Sequence, residues 1–245
     1  MLILIKKRHQ YYQEMRITID GNIGSGKTTQ IKILQEAGFN VLQEPIKDWP
    51  LELFYSDKKR WAFLMQMSVL NGFSEKADIY ERSPESSFEV FWNFISERGI
   101  TEEENRICKK MYQTYGWKSD VYIYIDTPPN ICYGRINNRY QDGDSSIELE
   151  YLQTLESLYK EYISTHDNAY TIKGDQSVEE IHKQIISIIK ECKQDVKVCQ
   201  NLVQNVNATI IVYGINSKHV QYVSKMYHLN CHMLLHVNTH ITKIV

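Results

Sequence analysis

Residues 21–28 read Gly-Asn-Ile-Gly-Ser-Gly-Lys-Thr and fit the spacing G-x-x-x-x-G-K-[ST] in full. Such a loop uses glycines so that backbone N–H groups can turn inward on a phosphate. It also needs a helix directly after it, whose positive end faces the same anion. Both flanks are present: Arg16 to Asp20 is a short β-branched run, and Thr28 to Ala37 has the pattern of a helix closed by Gly38. This strand-to-helix context argues against a chance match. Gly21, Asn22, Ile23, Gly24, Ser25, Gly26, Lys27, Thr28 and Thr29 are therefore the candidate cradle for the phosphates of ATP. Lys27 would reach the β- and γ-phosphates, and Thr28 would ligand Mg²⁺ through its hydroxyl.

The loop opens a series of alternating strand and helix patterns. Strands are expected at Arg16 to Asp20, Asn40 to Gln43, Ala77 to Tyr80, Val121 to Ile125 and Tyr170 to Ile172. Helices are expected at Lys58 to Phe73, Ser87 to Glu97, Glu148 to Ile163 and Val178 to Lys190, and Thr101 with Glu104 makes a capping box for one more. This order predicts an α/β fold, a parallel five-stranded sheet flanked by helices, with ligands at the carboxyl ends of the strands.

Charge is unevenly spread along the 245 residues. The formal net charge is −2, but residues 16–191 carry 20 basic and 28 acidic side chains, while residues 192–245 carry five lysines and only Asp195. Five of the eight histidines also fall in the last 27 residues. The expected organisation is an N-terminal extension at 1–15, a main domain at 16–191 and a C-terminal extension at 192–245. Near-neutral total charge gives no reason to expect a nucleic-acid polymer or a membrane surface as partner. No apolar run approaches the ~20 residues of a membrane helix. Five cysteines without framework spacing suggest a reducing compartment. The opening Met-Leu-Ile-Leu-Ile is too short for a signal peptide, and Glu14 opposes a transit peptide. The cytoplasm is the expected location, with mitochondrial import as the alternative. In the tail, Ala208 to Tyr213 reads as a strand and Val220 to Leu235 as a helix, and its cysteines and histidines have no defensible zinc spacing.

Phosphate binding alone does not separate a hydrolase from a kinase. Glu44 ends the second strand, where a carboxylate can take a proton from an attacking hydroxyl, and Glu81-Arg82 follows the third in the same manner. Arg135 and Arg139 lie four apart on one helix face and could close over a transferred phosphate. Taken singly, a Glu-Pro turn or an i,i+4 arginine pair is a solvated surface feature, so joint spacing must carry the reading.

Together these segments resemble the deoxynucleoside kinase family. The resemblance runs through the phosphate loop, Glu-Pro-Ile-Lys-Asp-Trp49, the stretch from Tyr55 to Gln66, Tyr80-Glu-Arg-Ser83 and a lid-like segment from Arg135 to Leu152, all in family order. It implies a homodimer that uses ATP and Mg²⁺ to phosphorylate the 5′-hydroxyl of a deoxynucleoside. It further implies Glu44 as general base, Arg82 as the group holding it, and Glu81 beside Thr28 at the metal. Trp49 and Phe91 would sandwich the base and Gln66 would read its edge. Tyr55 would contact the 3′-hydroxyl with a lid acid, here Asp144. Gln141 stands where a further lid arginine is common, leaving Lys27, Arg135 and Arg139 as the cations around the phosphate.

Members that prefer purines or deoxycytidine tend to carry an arginine seven residues after the glutamine and an aspartate five after the Glu-Arg-Ser arginine. Here those positions are Phe73 and Ser87, which resembles the thymidine-accepting branch and implies a pyrimidine-favouring site. The alternatives are a nucleoside monophosphate kinase of thymidylate type and a non-catalytic structural relative.

Overall fold

The computed structural model describes residues 15–96, 99–139 and 147–205, with side chains described as far as residue 194. The expected tail strand and helix, together with Gln141 and Asp144, lie outside the described residues. The backbone divides into a unit of Met15–Gln184 and a second made up of the first 14 residues and those from Ile185 onward. The first unit holds the sheet and the site.

Five parallel strands form one sheet in the order β2-β3-β1-β4-β5: β1 (Ile17–Gly21), β2 (Val41–Leu42), β3 (Ile79–Glu81), β4 (Val121–Asp126) and β5 (Ala169–Lys173). The centre of the sheet is buried from both sides. β1 is buried throughout, and Val121–Ile125 are all at most 2% exposed, so β4 reads as a continuous apolar run, while β1 carries Thr18 and Asp20 buried between its apolar residues. Register aligns Ile19 with Glu81 on one side of β1 and with Ile123 on the other. The chain passes first to the β3 side of β1 and then to the β4 side. The carboxyl ends of β1, β2 and β3 therefore open on one crevice at a reversal of strand order, the place where such sheets take ligands.

The connecting helices are α1 (Lys27–Glu36), α2 (Leu51–Ser56), α3 (Lys58–Gly72), α4 (Pro84–Ser86) running on through a π-helical turn (Ser87–Trp92) into α5 (Asn93–Ser96), α6 (Glu102–Tyr115), α7 (Pro129–Arg139), α8 (Leu149–Ser164) and α9 (Val178–Asn205). The Thr101–Glu104 capping box is formed in both directions. The helix expected from Ser87 begins three residues earlier, because Ser83 caps it and Pro84 supplies the fixed φ of a first helical position. Two short elements were not expected, the 3₁₀ turn Ile46–Asp48 and α2, each entered directly after a proline. One apolar cluster joins α3, α6 and the π turn around Met65, Val69, Trp92 and Tyr112, and another joins β4 and α8 around Tyr122, Tyr124, Leu155 and Tyr159. No helix among the described residues is long and apolar enough to cross a membrane.

Candidate active site

The loop after β1 turns through three glycines at positive φ: Gly21, Gly24 and Gly26 at 151°, 79° and 102°. A side chain at Gly21 would place its Cβ 2.6 Å from the Ile125 carbonyl oxygen, so the close packing of the loop on β4 requires glycine there. Gly26 precedes α1 and offers no side-chain cap, which leaves first-turn N–H groups of the helix for an anion. Lys27 curls back over the loop, donating to the carbonyls of Gly21 (3.1 Å) and Asn22 (2.8 Å). Burial, reinforced by Arg82, lowers its ammonium to about 8. Asn22 ties the loop to α8 through Leu152 O, Ser25 Oγ is buried without a partner, and Thr29 is exposed on the first turn of α1.

Thr28 donates to Glu81 Oε1 at 2.6 Å. The other oxygen, Oε2, is buried and has no hydrogen-bond partner. A hydroxyl beside an unsatisfied carboxylate oxygen at the end of a phosphate loop is a donor set that fits a hard divalent cation such as Mg²⁺.

Across the crevice, Glu44 follows β2 and is 8% exposed. Arg82 Nε lies 2.9 Å from Glu44 Oε1. Burial raises the Glu44 carboxyl to about 7, against the opposing pull of Arg82. Arg82 has φ +63°, the one non-glycine residue at positive φ among those described, a conformation that costs on the order of 1–3 kcal/mol and persists where the surroundings enforce it. Those surroundings include Asp20, whose Oδ1 accepts from Arg82 Nη1 at 2.9 Å.

Beside this pair opens a cavity of about 130 Å³ whose lining includes Glu44, Trp49, Tyr55, Gln66, Arg82, Ser87, Phe91 and Arg139. Phosphate loop, buried carboxylate and a mostly apolar cavity thus share one crevice.

Residues 17–212 match the family model described as deoxynucleoside kinase. The chain belongs to the deoxynucleoside kinase family. It is similar to a probable deoxycytidine kinase of Fowlpox virus (31% identical over 173 residues, 62% of this chain and 73% of the relative) and to a thymidine kinase of Ictalurid herpesvirus 1 (30% over 192 residues, 70% and 84%). It is also 27% identical over 180 residues to the mitochondrial thymidine kinase 2 of Homo sapiens, covering 64% of this chain and 67% of that one. A deoxyadenosine kinase from M. mycoides with bound dCTP shares the fold at a TM-score of 0.62, with 21% identity over 72% of this chain and 99% of that one. The protein is a phosphotransferase with the P-loop kinase fold.

The kinase brings most of the sequence-derived site residues together. Gln66 is 3% exposed, and its Oε1 accepts from the Tyr112 hydroxyl at 2.9 Å. Phe91 lies under the Arg82 guanidinium at 4.7 Å. Ser87, Phe91 and Ile95 all line the cavity, four residues apart each time, because the π turn offsets the drift that a pure α-helix would impose. Trp49 contributes to the lining, although its Nε1 is buried and unpartnered.

Arg135 donates to Ser25 O and Gly174 O, both at 3.1 Å, and Arg139 lines the cavity. One expectation is corrected: Phe73 is not at the base position. Helix α3 ends at Gly72, so Phe73 leaves the helix face and packs edge-on against Trp117, while Val69, one turn after Gln66, lines the cavity. Sequence reasoning also missed Asp20, Tyr112, Tyr122 and Tyr159. Of these only Asp20 left a signal, an acidic residue closing an apolar strand directly before the loop.

Proposed function

We propose that this kinase transfers the γ-phosphate of ATP to the 5′-hydroxyl of a deoxynucleoside, favouring thymidine and deoxycytidine. The observation that carries this is the buried Glu44–Arg82 pair facing the phosphate loop across one crevice. Loop N–H groups and Lys27 hold the β- and γ-phosphates in line with the acceptor. Glu44, raised to about 7 by burial, takes the hydroxyl proton as the bond from that oxygen to the γ-phosphorus forms. The bond from the γ-phosphorus to the bridging oxygen breaks, releasing ADP, and Arg82 and Arg139 face the transferred oxygens. Thr28 and Glu81 would hold Mg²⁺, which would supply positive charge to offset that of the phosphates. Trp49 and Phe91 flank the base, Gln66 reads its edge with amide donor and acceptor, and Tyr55 contacts the sugar. Asp144 is the proposed lid partner of Tyr55.

The pyrimidine preference is supported by Val69 and Ser87, uncharged residues where the base would lie. It is also supported by relatives named as thymidine and deoxycytidine kinases. A pocket that differs by a methyl group discriminates by only about 1–3 kcal/mol, so both pyrimidines are expected to react. The catalytic domain in this reading is 16–191, acting in the cytoplasm as a homodimer. Leu64 on α3 and Ile107 on α6 are exposed apolar side chains and are the positions at which self-association is tested. The test is a coupled assay with ATP and, in turn, the four deoxynucleosides and dTMP. Thymidine and deoxycytidine should turn over fastest. Comparable use of deoxyguanosine would remove the preference, and use of dTMP alone would replace the activity with that of a monophosphate kinase.

A further inference from the structure

Behind the Glu44–Arg82 pair lies a buried polar cluster that belongs to no motif. Asp20 is fully buried, and its Oδ1 accepts from Gly21 N at 2.7 Å, from Arg82 Nη1 at 2.9 Å and from the Tyr159 hydroxyl at 2.9 Å. The Tyr122 hydroxyl donates to Oδ2. The Tyr159 hydroxyl also accepts from Arg82 Nη1, closing a triangle with Asp20, and Nη1 donates in addition to Gly21 O at 3.1 Å.

The guanidinium is planar, so fixing one edge fixes the rest. With Nη1 anchored on β1 and α8, Nε is brought to Glu44 Oε1. Among the described residues Arg82 Nη2 and Glu44 Oε2 have no such partner, and both side chains line the cavity. The anchoring edge and the working edge of Arg82 are thus different. Tyr159 is held by its ring as well as its hydroxyl, stacked on Tyr124 at 5.5 Å and meeting the edge of Phe91 at 6.1 Å. Removing the oxygen alone should therefore leave the packing in place.

We propose that Tyr159, together with Asp20 and Tyr122, is a positioning residue for phosphoryl transfer: it sets the plane of Arg82 and, through Arg82, the orientation of Glu44. This rests on Glu44 being the base. The charged groups acting on Glu44 are Arg82, Glu81, Lys27 and Asp20. Among these Arg82 is the largest influence lowering its proton affinity, so an Arg82 held less firmly should leave Glu44 harder to deprotonate.

The experiment compares wild type with Tyr159→Phe, a change that alters no charge. The expected result is a kcat about tenfold lower with the deoxynucleoside KM within about twofold. The acid limb of kcat/KM should also move upward by about half a pH unit. Asp20→Asn should lower kcat at least as much. An unmoved limb with kcat within twofold of wild type would overturn the proposal. A fall in kcat with the limb in place and a matching fall in Tm would also overturn it, leaving Tyr159 a packing role. The Glu44 carboxyl titration followed by ¹³C NMR reads the same shift without turnover. A wild type that phosphorylates no deoxynucleoside would therefore defeat the kinase reading while the positioning of Glu44 was still decided.

Discussion

Burial does more than any neighbour to give Glu44 its chemistry. An exposed glutamate is too weak a base for a hydroxyl, whereas one raised to about 7 is poised near neutral pH. The base must be deprotonated, so kcat/KM is expected to fall about tenfold per unit below pH 7 and to level off above it. Lys27, lowered to about 8, is neutral above that value, so kcat/KM for ATP should decline on the alkaline side and give a bell-shaped profile. Glu44→Gln should keep nucleoside affinity within about twofold and lower kcat by about 10²–10⁴, measured by equilibrium binding alongside steady-state kinetics. Glu81→Gln should raise the Mg²⁺ concentration needed for half-maximal activity by about tenfold, read from a Mg²⁺ titration of the initial rate. The loop from Gly21 to Thr28 was legible in the sequence because its chemistry is contiguous. The contact of Arg82 with Asp20 was not, because the two are 62 residues apart and meet only through the pairing of β1 with β3. Tyr159, 139 residues from Asp20, carried no signal beyond an apolar helix face.

At the scale of elements, local caps were readable and interruptions of helix geometry were not. Thr101 and Glu104 identify the start of α6 because the two side chains satisfy backbone donors reciprocally. Thr101→Ala is expected to cost about 1 kcal/mol, seen as a lower Tm with kcat unchanged, since Thr101 caps the far end of α6 from Tyr112, which touches Gln66. Ser83-Pro84 carries the same kind of signal for α4. The π turn at Ser87–Trp92 has no composition of its own. It is imposed by packing that sends Val90 and Trp92 into two different cores while Ser87 and Phe91 line the cavity. The misplacement of Phe73 has a similar origin, since counting seven residues from Gln66 assumed a helix that stops after six.

For the whole molecule, five strands in chain order predicted a parallel sheet, but their spatial order followed only from the structure. It is that order, with β1 between β3 and β4, that brings a phosphate loop after β1 and acids after β2 and β3 to one crevice. A net charge of −2 conceals this concentration of cations and carboxylates. The proposed homodimer should show a mass by light scattering of about twice 28.9 kDa. Replacing Leu64 and Ile107 together by glutamate should yield a folded monomer, and a monomeric wild type would contradict self-association. The most direct measurement is chromatographic detection of thymidine 5′-monophosphate from thymidine and ATP, with Glu44→Gln run in parallel at equal nucleoside occupancy. Rapid formation by wild type with near-abolished formation by the variant is expected. Equal rates from both proteins would contradict the assignment of Glu44, and no product from wild type would contradict the phosphotransfer itself.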